Sequence, residues 1–335
     1  MVPRKLNGYI FACIIFFSFT FAILAQSDPQ SKLTEAENYY KSAQFDEAIE
    51  ILNQLSYDES MDIEIRKDAL RFLGRACTAK GQLDKAKEAL IKLLELEPPM
   101  VIFNPDYESP PFMRVYYDSR KTRTGSYEIE RPDPGMKTMA IIDFMNSSVD
   151  EKERFDPMEK GFADLLIHRL NNATNLKVVE RERINWLLNE IEIQDKYSME
   201  GAVRIGKMLG AQTVLIGSFI IFNDEIWLGA RLVKVETGEI LLTDEIKGDI
   251  DEFFDLAAQL SEKIAVKIGE TITSPETAVS TETKQLDAIL SYSKGLSYLE
   301  KGDYQNAYQM FTEALQHDPT YEIARIKAES IKPYL

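Results

Sequence analysis

The order of strands and helices between Met136 and Ile268 constrains the fold of this chain more than any other feature of the sequence. An apolar strand at Met139–Phe144 is followed by a helix that starts at Pro157, and a short strand at Leu176–Val179 leads directly into a second helix. Strands and helices that follow one another in this way are typical of a compact domain in which a sheet packs against helices. We therefore predict a mixed α/β domain over residues 136–270.

The second half of this domain is predicted to form a strand meander closed by a helix. A short helix at Met199–Leu209 stops at Gly210, since glycine is a natural helix end. The strands that follow are predicted at Gln212–Phe222, Ile226–Val235 and Ile240–Lys247, and the closing helix at Glu252–Ile268. Asn223-Asp224 and Glu236-Thr237-Gly238 separate the strands and have the composition of tight turns, so the three strands are expected to pair in sequence order.

Six short motifs follow one another along this domain. They read MAIIDF at 139–144, EKG at 159–161, VVERERI at 178–184, GKMLGA at 206–211, GS at 217–218 and VETGEI at 235–240. In order and spacing these motifs resemble the CsgG family of curli production assembly/transport components, across the whole domain. The resemblance implies a bacterial envelope protein whose core domain assembles or binds at the outer membrane without catalysis.

The first residues of the chain have the features of a signal peptide. Arg4 and Lys5 precede an apolar run over 9–24, and Ile23-Leu24-Ala25 suits cleavage after Ala25. Residues 1–25 are therefore predicted to be removed on export, which places the protein in the periplasm or on the periplasmic side of the outer membrane. The alternative is an uncleaved anchor, because the apolar run approaches the roughly 18 residues of a membrane span. Cys13 is not expected to be lipidated, because most of the apolar run follows it.

Charge and cysteine content exclude some classes of function. The formal net charge is -16, and loss of Arg4 and Lys5 would make it -18, so nucleic acid is not an expected partner. Cleavage after Ala25 would leave Cys77 as the single cysteine, so no disulfide within one chain is expected. Cys77 falls among apolar helix positions and is predicted to be a buried small hydrophobic residue.

Helical repeats flank the α/β domain on both sides. Residues 32–120 are predicted to form two tetratricopeptide hairpins and a capping helix that starts at Pro111, and residues 284–335 are predicted to form a third repeat. In such repeats small residues let paired helices approach, and large apolar residues fill the space between hairpins. The residues assigned to this packing are Gly74, Ala86, Gly295, Tyr298, Ala307 and Phe311.

Two segments are predicted to be linkers between these domains. Residues 121–135 and residues 271–283 are rich in Thr, Ser, Pro or Gly. The third repeat stands alone after the second linker. It is therefore expected to pack on the α/β domain, on the N-terminal repeats or on a partner, and the sequence leaves these three alternatives open.

The charged stretch Glu180–Arg183 admits two interpretations. In the first it is a feature of the fold, with acidic residues at a helix start and arginines that are solvated or paired in salt bridges. In the second, which rests on the resemblance, Glu180, Arg181 and Arg183 form a contact between subunits of a ring.

No catalytic, cofactor or metal site is predicted. The stretch Gly201–Met208 follows the phosphate-binding loop pattern except at its last position, where Met208 replaces the required Ser or Thr. The two histidines, His168 and His317, lie far apart in the sequence and suit surface or packing positions. The acidic loop over 146–156 lacks the glycine of a calcium loop, so it is expected to be solvated.

These features predict a non-enzymatic envelope protein in assembly or transport, which binds a protein partner through its repeats. The secretion channels of the resembled family carry a lipid-anchored N-terminal cysteine and insert amphipathic hairpins into the membrane. This chain has Gln26 at the predicted new N-terminus. Its best candidate for a membrane-spanning strand, Ile226–Val235, has apolar residues on one face. A strand of a soluble sheet packed on helices would have the same pattern, and a soluble sheet is predicted. The alternative function is a soluble periplasmic adaptor or regulator, for example of cell-wall synthesis, and self-association is left open.

Overall fold

The structure is a computed structural model that describes residues 28–96, 103–105, 107–129, 135–149, 151–171, 173, 175–191, 195–272, 283 and 285–335. The predicted signal peptide at 1–25 and most of the predicted linker at 271–283 lie outside the described residues. The fold class predicted from the sequence, an α/β domain with helical repeats on both sides, is confirmed.

In the described part of the chain, five helices precede the sheet. They are α1 (Pro29–Lys41), α2 (Phe45–Tyr57), α3 (Ile63–Ala79), α4 (Leu83–Leu96) and α5 (Pro110–Thr124). The first four pack as two successive hairpins, and α5 lies against α3 and α4. Ser109 caps α5 by accepting a hydrogen bond from the Phe112 amide. The helix continues to Thr124, four residues into the predicted linker at 121–135, and ends at Gly125, which has a positive φ angle and donates its amide to the Lys121 carbonyl.

A mixed sheet forms the centre of the molecule. Its strands are β1 (Lys137–Ile141), β2 (Met145–Asn146), β3 (Leu176–Val178), β4 (Thr213–Phe222), β5 (Glu225–Lys234) and β6 (Ile240–Asp249). The strand order is β3-β1-β4-β5-β6, and the short β2 also pairs with β4. β3, β1, β2 and β4 pair in parallel, whereas β4, β5 and β6 form the predicted antiparallel meander. Asn223 and Asp224 both have positive φ angles, as a two-residue hairpin turn requires, so the predicted turn is confirmed.

Helices cover the sheet on both faces. Those of this domain are α6 (Lys152–Phe155), α7 (Met158–Leu170), α8 (Arg181–Ile191), α9 (Met199–Leu209) and α10 (Phe253–Lys267). On one face, Ala140, Val214 and Val233 belong to a core shared with α8, α9 and the N-terminal repeats. On the other face, Leu215 and Leu228 belong to a core shared with α7 and α10.

The C-terminal repeat consists of α11 (Leu286–Glu300), α12 (Tyr304–His317) and α13 (Glu322–Ile331), and a short 3-10 turn ends the chain. Helix α11 packs on α7, and its Ile289 and Leu290 enter the core between α7 and α10. The third repeat therefore packs on the α/β domain, which was one of the three alternatives open in the sequence. The helical hairpin of this repeat ends before Asp318–Pro319, and α13 follows it within the segment predicted at 284–335.

Candidate functional site

Arg181 lies at the first turn of α8, where this domain meets the C-terminal repeat. Its side chain is 5% exposed. Its Nε lies 3.4 Å from Oδ1 of Asp143, which follows β1, and its Nη2 donates to Oε1 of Glu300, the last residue of α11. One guanidinium group therefore joins the end of the sheet to the end of the repeat.

Five further polar residues complete this charge cluster. Lys196 donates to Asp143 over 3.0 Å, and Lys160 of α7 lies 3.6 Å from Asp143 and also donates to Glu300. Asn185 donates to Oε1 of Glu300 over 2.7 Å. Tyr197 donates to Glu159 over 3.0 Å at the edge of the cluster. The cluster contains acidic and basic groups in direct contact, so its buried charges compensate each other.

Titration of the cluster follows from its charges. Burial by itself raises the pKa of Asp143, but the cations of Arg181, Lys160 and Lys196 outweigh it and hold this pKa at about 2. Burial opposes the charge of Arg181, and the carboxylates of Glu300 and Asp143 nevertheless raise its pKa. Asp143 and Arg181 therefore remain ionised near neutral pH, as members of a buried ion-pair network.

A second buried link joins the C-terminal repeat to the same helix. Lys327 of α13 is 2% exposed. Its ammonium group donates to Glu182 of α8 over 2.9 Å and to the backbone carbonyl of Pro105 over 3.3 Å. A single lysine thus contacts the α/β domain and the segment that leads into α5.

The remaining charged residues of the stretch also find partners within the chain. Arg183 is buried and donates to the backbone carbonyls of Tyr127 and Glu128 over 3.0 and 2.6 Å. Glu180 pairs with Lys177 over 2.7 Å. Glu180 thus forms a salt bridge, as in the first interpretation of Glu180–Arg183, whereas Arg183 is held by hydrogen bonds to backbone carbonyls. A subunit contact at Glu180, Arg181 and Arg183 stays a prediction.

The N-terminal and C-terminal repeats also contact each other directly. Arg114 of α5 donates to the backbone carbonyl of Glu300 over 3.0 Å. Ser109, at the start of α5, donates to the Tyr334 hydroxyl over 2.5 Å. The two repeat segments, far apart in the sequence, are therefore neighbours in the fold.

A groove of about 680 Å³ lies where these two repeats meet. Tyr40 and Phe72 form one wall, and Lys332 and Pro333 of the C-terminal turn form the other. Arg75 also lines the groove, and its Nε donates to Glu108 over 2.9 Å. Burial raises the pKa of Tyr40 to about 12, with opposing effects of Arg75 and Glu108, so this phenol stays neutral. Tyr107, which is 65% exposed, borders the groove as an accessible aromatic ring.

The residues assigned to repeat packing lie at helix contacts. A Cβ on Gly74 would approach Leu90 to 3.1 Å and Phe112 to 3.2 Å, and a Cβ on Gly295 would approach the Phe311 ring to 2.5 Å. Ala86, Ala307 and Phe311 are fully buried, and Tyr298 packs at the edge of the C-terminal core.

The segments weighed above as a phosphate-binding loop, a histidine site or a calcium loop have the following positions in the fold. Gly201–Met208 lies within α9, and its Ala202 and Ile205 are buried as predicted for a helix core. His168 lies 3.5 Å from Asp164 of the same helix. Asp150, in the acidic loop, lies outside the described residues. In the described part of the chain, no three His, Cys, Asp or Glu side chains are grouped so that they could hold a metal ion.

None of the described helices is both long enough and apolar enough to cross a membrane.

Sequence reasoning missed the residues that join the domains. Lys327 shares a helix face with Ala324, Ala328 and Ile331, all of them buried. A lysine among apolar residues at helical spacing indicates a buried cation with a partner, and this signal was available in the sequence. Glu300 carries no such signal, because an acidic residue at the end of a helix is usually solvated.

Comparisons with known proteins agree with this architecture. Residues 129–230 match the family model described as curli production assembly/transport component CsgG. Residues 69–99 and 289–321 match the tetratricopeptide repeat model. Comparison with curated proteins gave no match.

Solved structures show only a distant likeness. TolB from Acinetobacter baumannii is 12% identical, with a TM-score of 0.30, over 41% of this chain and 29% of that chain. The C-terminal domain of LpoB from Salmonella enterica is 14% identical, with a TM-score of 0.27, over 41% of this chain and 95% of that chain. Lipoprotein GNA1162 from Neisseria meningitidis is 14% identical, with a TM-score of 0.29, over 38% of this chain and 96% of that chain. These scores are too low to show a shared fold.

The family matches carry a general functional meaning. Tetratricopeptide repeats generally mediate contacts between proteins, and neither matched family is in general catalytic. The two matches together indicate an envelope protein with protein-binding repeats. The chain thus contains a segment at residues 129–230 that is similar to the CsgG family, with segments similar to tetratricopeptide repeats on both sides of it.

Proposed function

We propose that this protein is a non-enzymatic component of the bacterial envelope that acts in assembly or transport at the periplasmic side of the outer membrane. Its repeats bind a protein partner, and the CsgG-like domain holds the two repeat segments in a fixed arrangement. The partner binds in the groove between the N-terminal repeats and the C-terminal turn.

The groove is the observation that carries this proposal. Its walls come from α1 and α3 on one side and from the end of the chain on the other. The ion pairs of Arg181 with Glu300 and of Lys327 with Glu182 hold the second wall in place. Tyr107 and Phe72 offer aromatic contact surface, and Lys41, Glu329 and Lys332 supply charged groups at its border. Aromatic anchors with a charged rim are common at protein-binding sites.

A soluble adaptor without a pore is the second candidate, and the packing of β5 favours it. Ile226, Leu228 and Leu232 lie on one face of this strand and are buried in the core shared with α7 and α10. This strand was the best sequence candidate for a lipid-facing segment. Because its apolar face is occupied by helices, it is not available to lipid in this structure.

Site-specific crosslinking in the native cell tests the groove. A photoreactive phenylalanine analogue at Tyr107 is expected to give a discrete covalent adduct with another protein. The same analogue at Val266, which is 75% exposed on α10, serves as the control and is expected to give none. Equal adducts at both positions, or none at Tyr107, would contradict binding in the groove.

The native mass separates the two functional candidates. Light scattering is applied to the protein from a gentle detergent extract of membranes and, separately, to the protein from the periplasmic fraction. A ring-sized mass in the membrane extract supports assembly or transport. A monomer or dimer in the periplasmic fraction supports the adaptor and excludes a channel.

A further inference from the structure

One face of the sheet is only partly covered. Helix α9 packs over Val214, Ile216 and Val233, near one end of the strands. Towards the β4–β5 turn the same face is open, and Trp227 and Phe222 are 43% and 57% exposed. In a folded domain, several large apolar side chains exposed together mark an interaction surface.

Strand register arranges this open face into three rows across the strands. Ile216, Arg231 and Thr243 form the first row. Met145, Ser218, Gly229 and Glu245 form the second, and Ile220, Trp227 and Lys247 form the third. Ser218 and Gly229 are small, so the middle row is low between two taller rows. The first two rows, together with Tyr197, line a groove of about 520 Å³ across the strands, here called the sheet groove. The third row follows it on the side of the β4–β5 turn.

The dimensions of the sheet groove suit an α-helix. Ile216 and Ile220 are four residues apart on one strand, which corresponds to about 13 Å between the outer rows. An α-helix with its side chains is about 10–12 Å in diameter, so it fits between these rows. The groove crosses β2, β4, β5 and β6. Three strand spacings separate the first of these strands from the last, so the groove is about 14 Å long. That length corresponds to roughly ten residues of helix.

The outer rows of the open face include Arg231 and Lys247, but the end of this face at the β4–β5 turn is acidic. Asp224 and Glu225 lie at the β4–β5 turn, and Asp249 of β6 lies opposite Glu225 in the strand register. The amide of Ile250 donates to the carbonyl of Asp224 over 2.8 Å, which holds this acidic edge together. Lys247 lies over the Trp227 ring, with its ammonium 5.4 Å from the ring centre. A complementary partner therefore needs apolar side chains at its centre and basic side chains towards the acidic end.

We propose that the sheet groove binds a basic amphipathic helix of a partner protein. This site shares no lining residue with the groove between the repeats and does not depend on the function proposed for that groove. The apolar ridge of the helix lies over Ser218 and Gly229, against Ile220, Trp227 and Met145, and its basic side chains face the acidic end. An anionic membrane surface is disfavoured by that end, and the concave floor suits a helix better than a flat bilayer.

The test uses the fluorescence of Trp227. The only other tryptophan, Trp186, is buried, so quenching by acrylamide reports mainly on Trp227. The probe is a 14-residue amphipathic peptide of leucine and lysine, compared with a peptide in which glutamate replaces lysine. The lysine peptide is expected to protect Trp227 from quenching, and the glutamate peptide is expected to bind at least tenfold more weakly.

Substitutions at Gly229 assign the binding to the groove. A Cβ at this position meets nothing closer than 3.8 Å, so the backbone tolerates a side chain there. Gly229→Leu fills the groove and is expected to weaken binding of the lysine peptide at least tenfold, whereas Gly229→Ser retains most of it. Circular dichroism and native mass check that both variants remain folded.

Three outcomes would overturn the proposal. The first is equal binding of the lysine peptide to wild type and to Gly229→Leu. The second is protection of Trp227 by phosphatidylcholine vesicles but not by the peptide, which would assign the surface to lipid. The third is protection that increases with protein concentration in the absence of peptide, which would assign it to a second copy of this chain. Because crosslinking at Tyr107 tests the other groove, either proposal can fail without the other.

Discussion

Arg181 of α8 and Glu300 of α11 form an ion pair across the boundary between the CsgG-like domain and the C-terminal repeat. The backbone carbonyl of Glu300 also accepts a hydrogen bond from Arg114, so the pair lies where three parts of the chain meet. Because Arg181 is almost fully buried, its charge depends on these partners. The position of the C-terminal repeat is therefore coupled to a small number of side chains.

Loss of the guanidinium should strongly destabilise the fold. Arg181→Met keeps a long apolar side chain but removes the buried guanidinium that pairs with Asp143 and Glu300, although Lys160 still contacts both carboxylates. Breaking a buried pair typically costs about 3–5 kcal/mol. Glu300→Gln should cost less, because the Glu300 side chain is partly exposed and Gln can still accept from Asn185. The free energy of unfolding in urea measures both. Equal effects of the two variants would contradict this account.

Acid should weaken the charge cluster through Asp143. Its pKa of about 2 in the folded protein lies below the unfolded value of about 3.9. A lowered folded pKa means that the carboxylate stabilises the protein above pH 4 and that this contribution is lost as the pH falls towards 2. The contribution is roughly 2–3 kcal/mol.

Asp143→Asn provides the comparison for this titration. The variant should be less stable than wild type at pH 7, and the difference should narrow as the pH falls from 4 to 2. Asp164 also has a lowered pKa, but it is present in both proteins and cancels in the difference. Urea unfolding at several pH values gives the two curves. A difference that stays constant with pH would exclude Asp143 as the titrating group.

Gly161 should be required for the contact between α7 and α11. A Cβ at this position would lie 1.9 Å from Oγ of Ser293, so the helices could not remain at their present distance. Gly161→Ala should destabilise the protein by about 1–3 kcal/mol, the usual range for overpacking. Adding Ser293→Gly to this variant removes the clash and should recover part of the loss. No recovery in the double variant, measured by chemical unfolding, would show that the two residues do not interact.

Cys77 should be unreactive in the folded protein. The thiol is buried, and burial raises its pKa to about 11 despite the opposing charges of Lys85 and Lys80. Thiolate is the reactive form, so a disulfide reagent should label Cys77 only when the N-terminal repeats open. The measurement is the labelling rate of a Cys13→Ser variant with and without urea. Fast labelling in the absence of urea would contradict burial.

The sequence predicted the α/β domain well because its signals are local. Apolar strands, Gly210 at a helix end and Asn223-Asp224 at a hairpin turn each act on neighbouring residues, and the structure has each of them. The extension of α5 to Thr124 was missed because its last turn is mostly exposed and is held by polar contacts to residues distant in sequence, from Lys121 to Glu190 and from Arg123 to the Leu94 carbonyl. Helix α13 was missed because the repeat pattern ends before it.

The contacts that join the domains could not be predicted in the same way. Glu300 and Arg181 are 119 residues apart, and Lys327 and Glu182 are 145 residues apart. The local patterns of a single sequence do not show which residues pair across such separations. The motif around Arg181 was visible in the sequence, but its partners depend on the docking of α11 against α7, which Gly161 permits.

The turns inside the three helical hairpins provide a test of backbone strain. Ala43, Gly81 and Gly302 occupy the same turn position and all have positive φ angles. In each turn the next residue donates to a carbonyl five residues earlier, as in the 2.9 Å bond from Gln44 to Tyr39. Only the first hairpin places a residue with a Cβ in this left-handed conformation, which typically costs about 1–2 kcal/mol.

Exchange of these residues should therefore have opposite effects. Ala43→Gly relieves the backbone strain of the folded protein but makes the unfolded chain more flexible. The added flexibility offsets about 0.4–1 kcal/mol of the strain energy that is relieved. The net stabilisation should therefore be up to about 1 kcal/mol. Gly81→Ala should destabilise the protein by a similar amount, since a Cβ there meets nothing within 4 Å and only the backbone is affected. Thermal unfolding of the two variants against wild type measures both changes. If Gly81→Ala were neutral, the positive φ angle would not be a constraint on these turns, and the repeated turn geometry would have to be explained by packing alone.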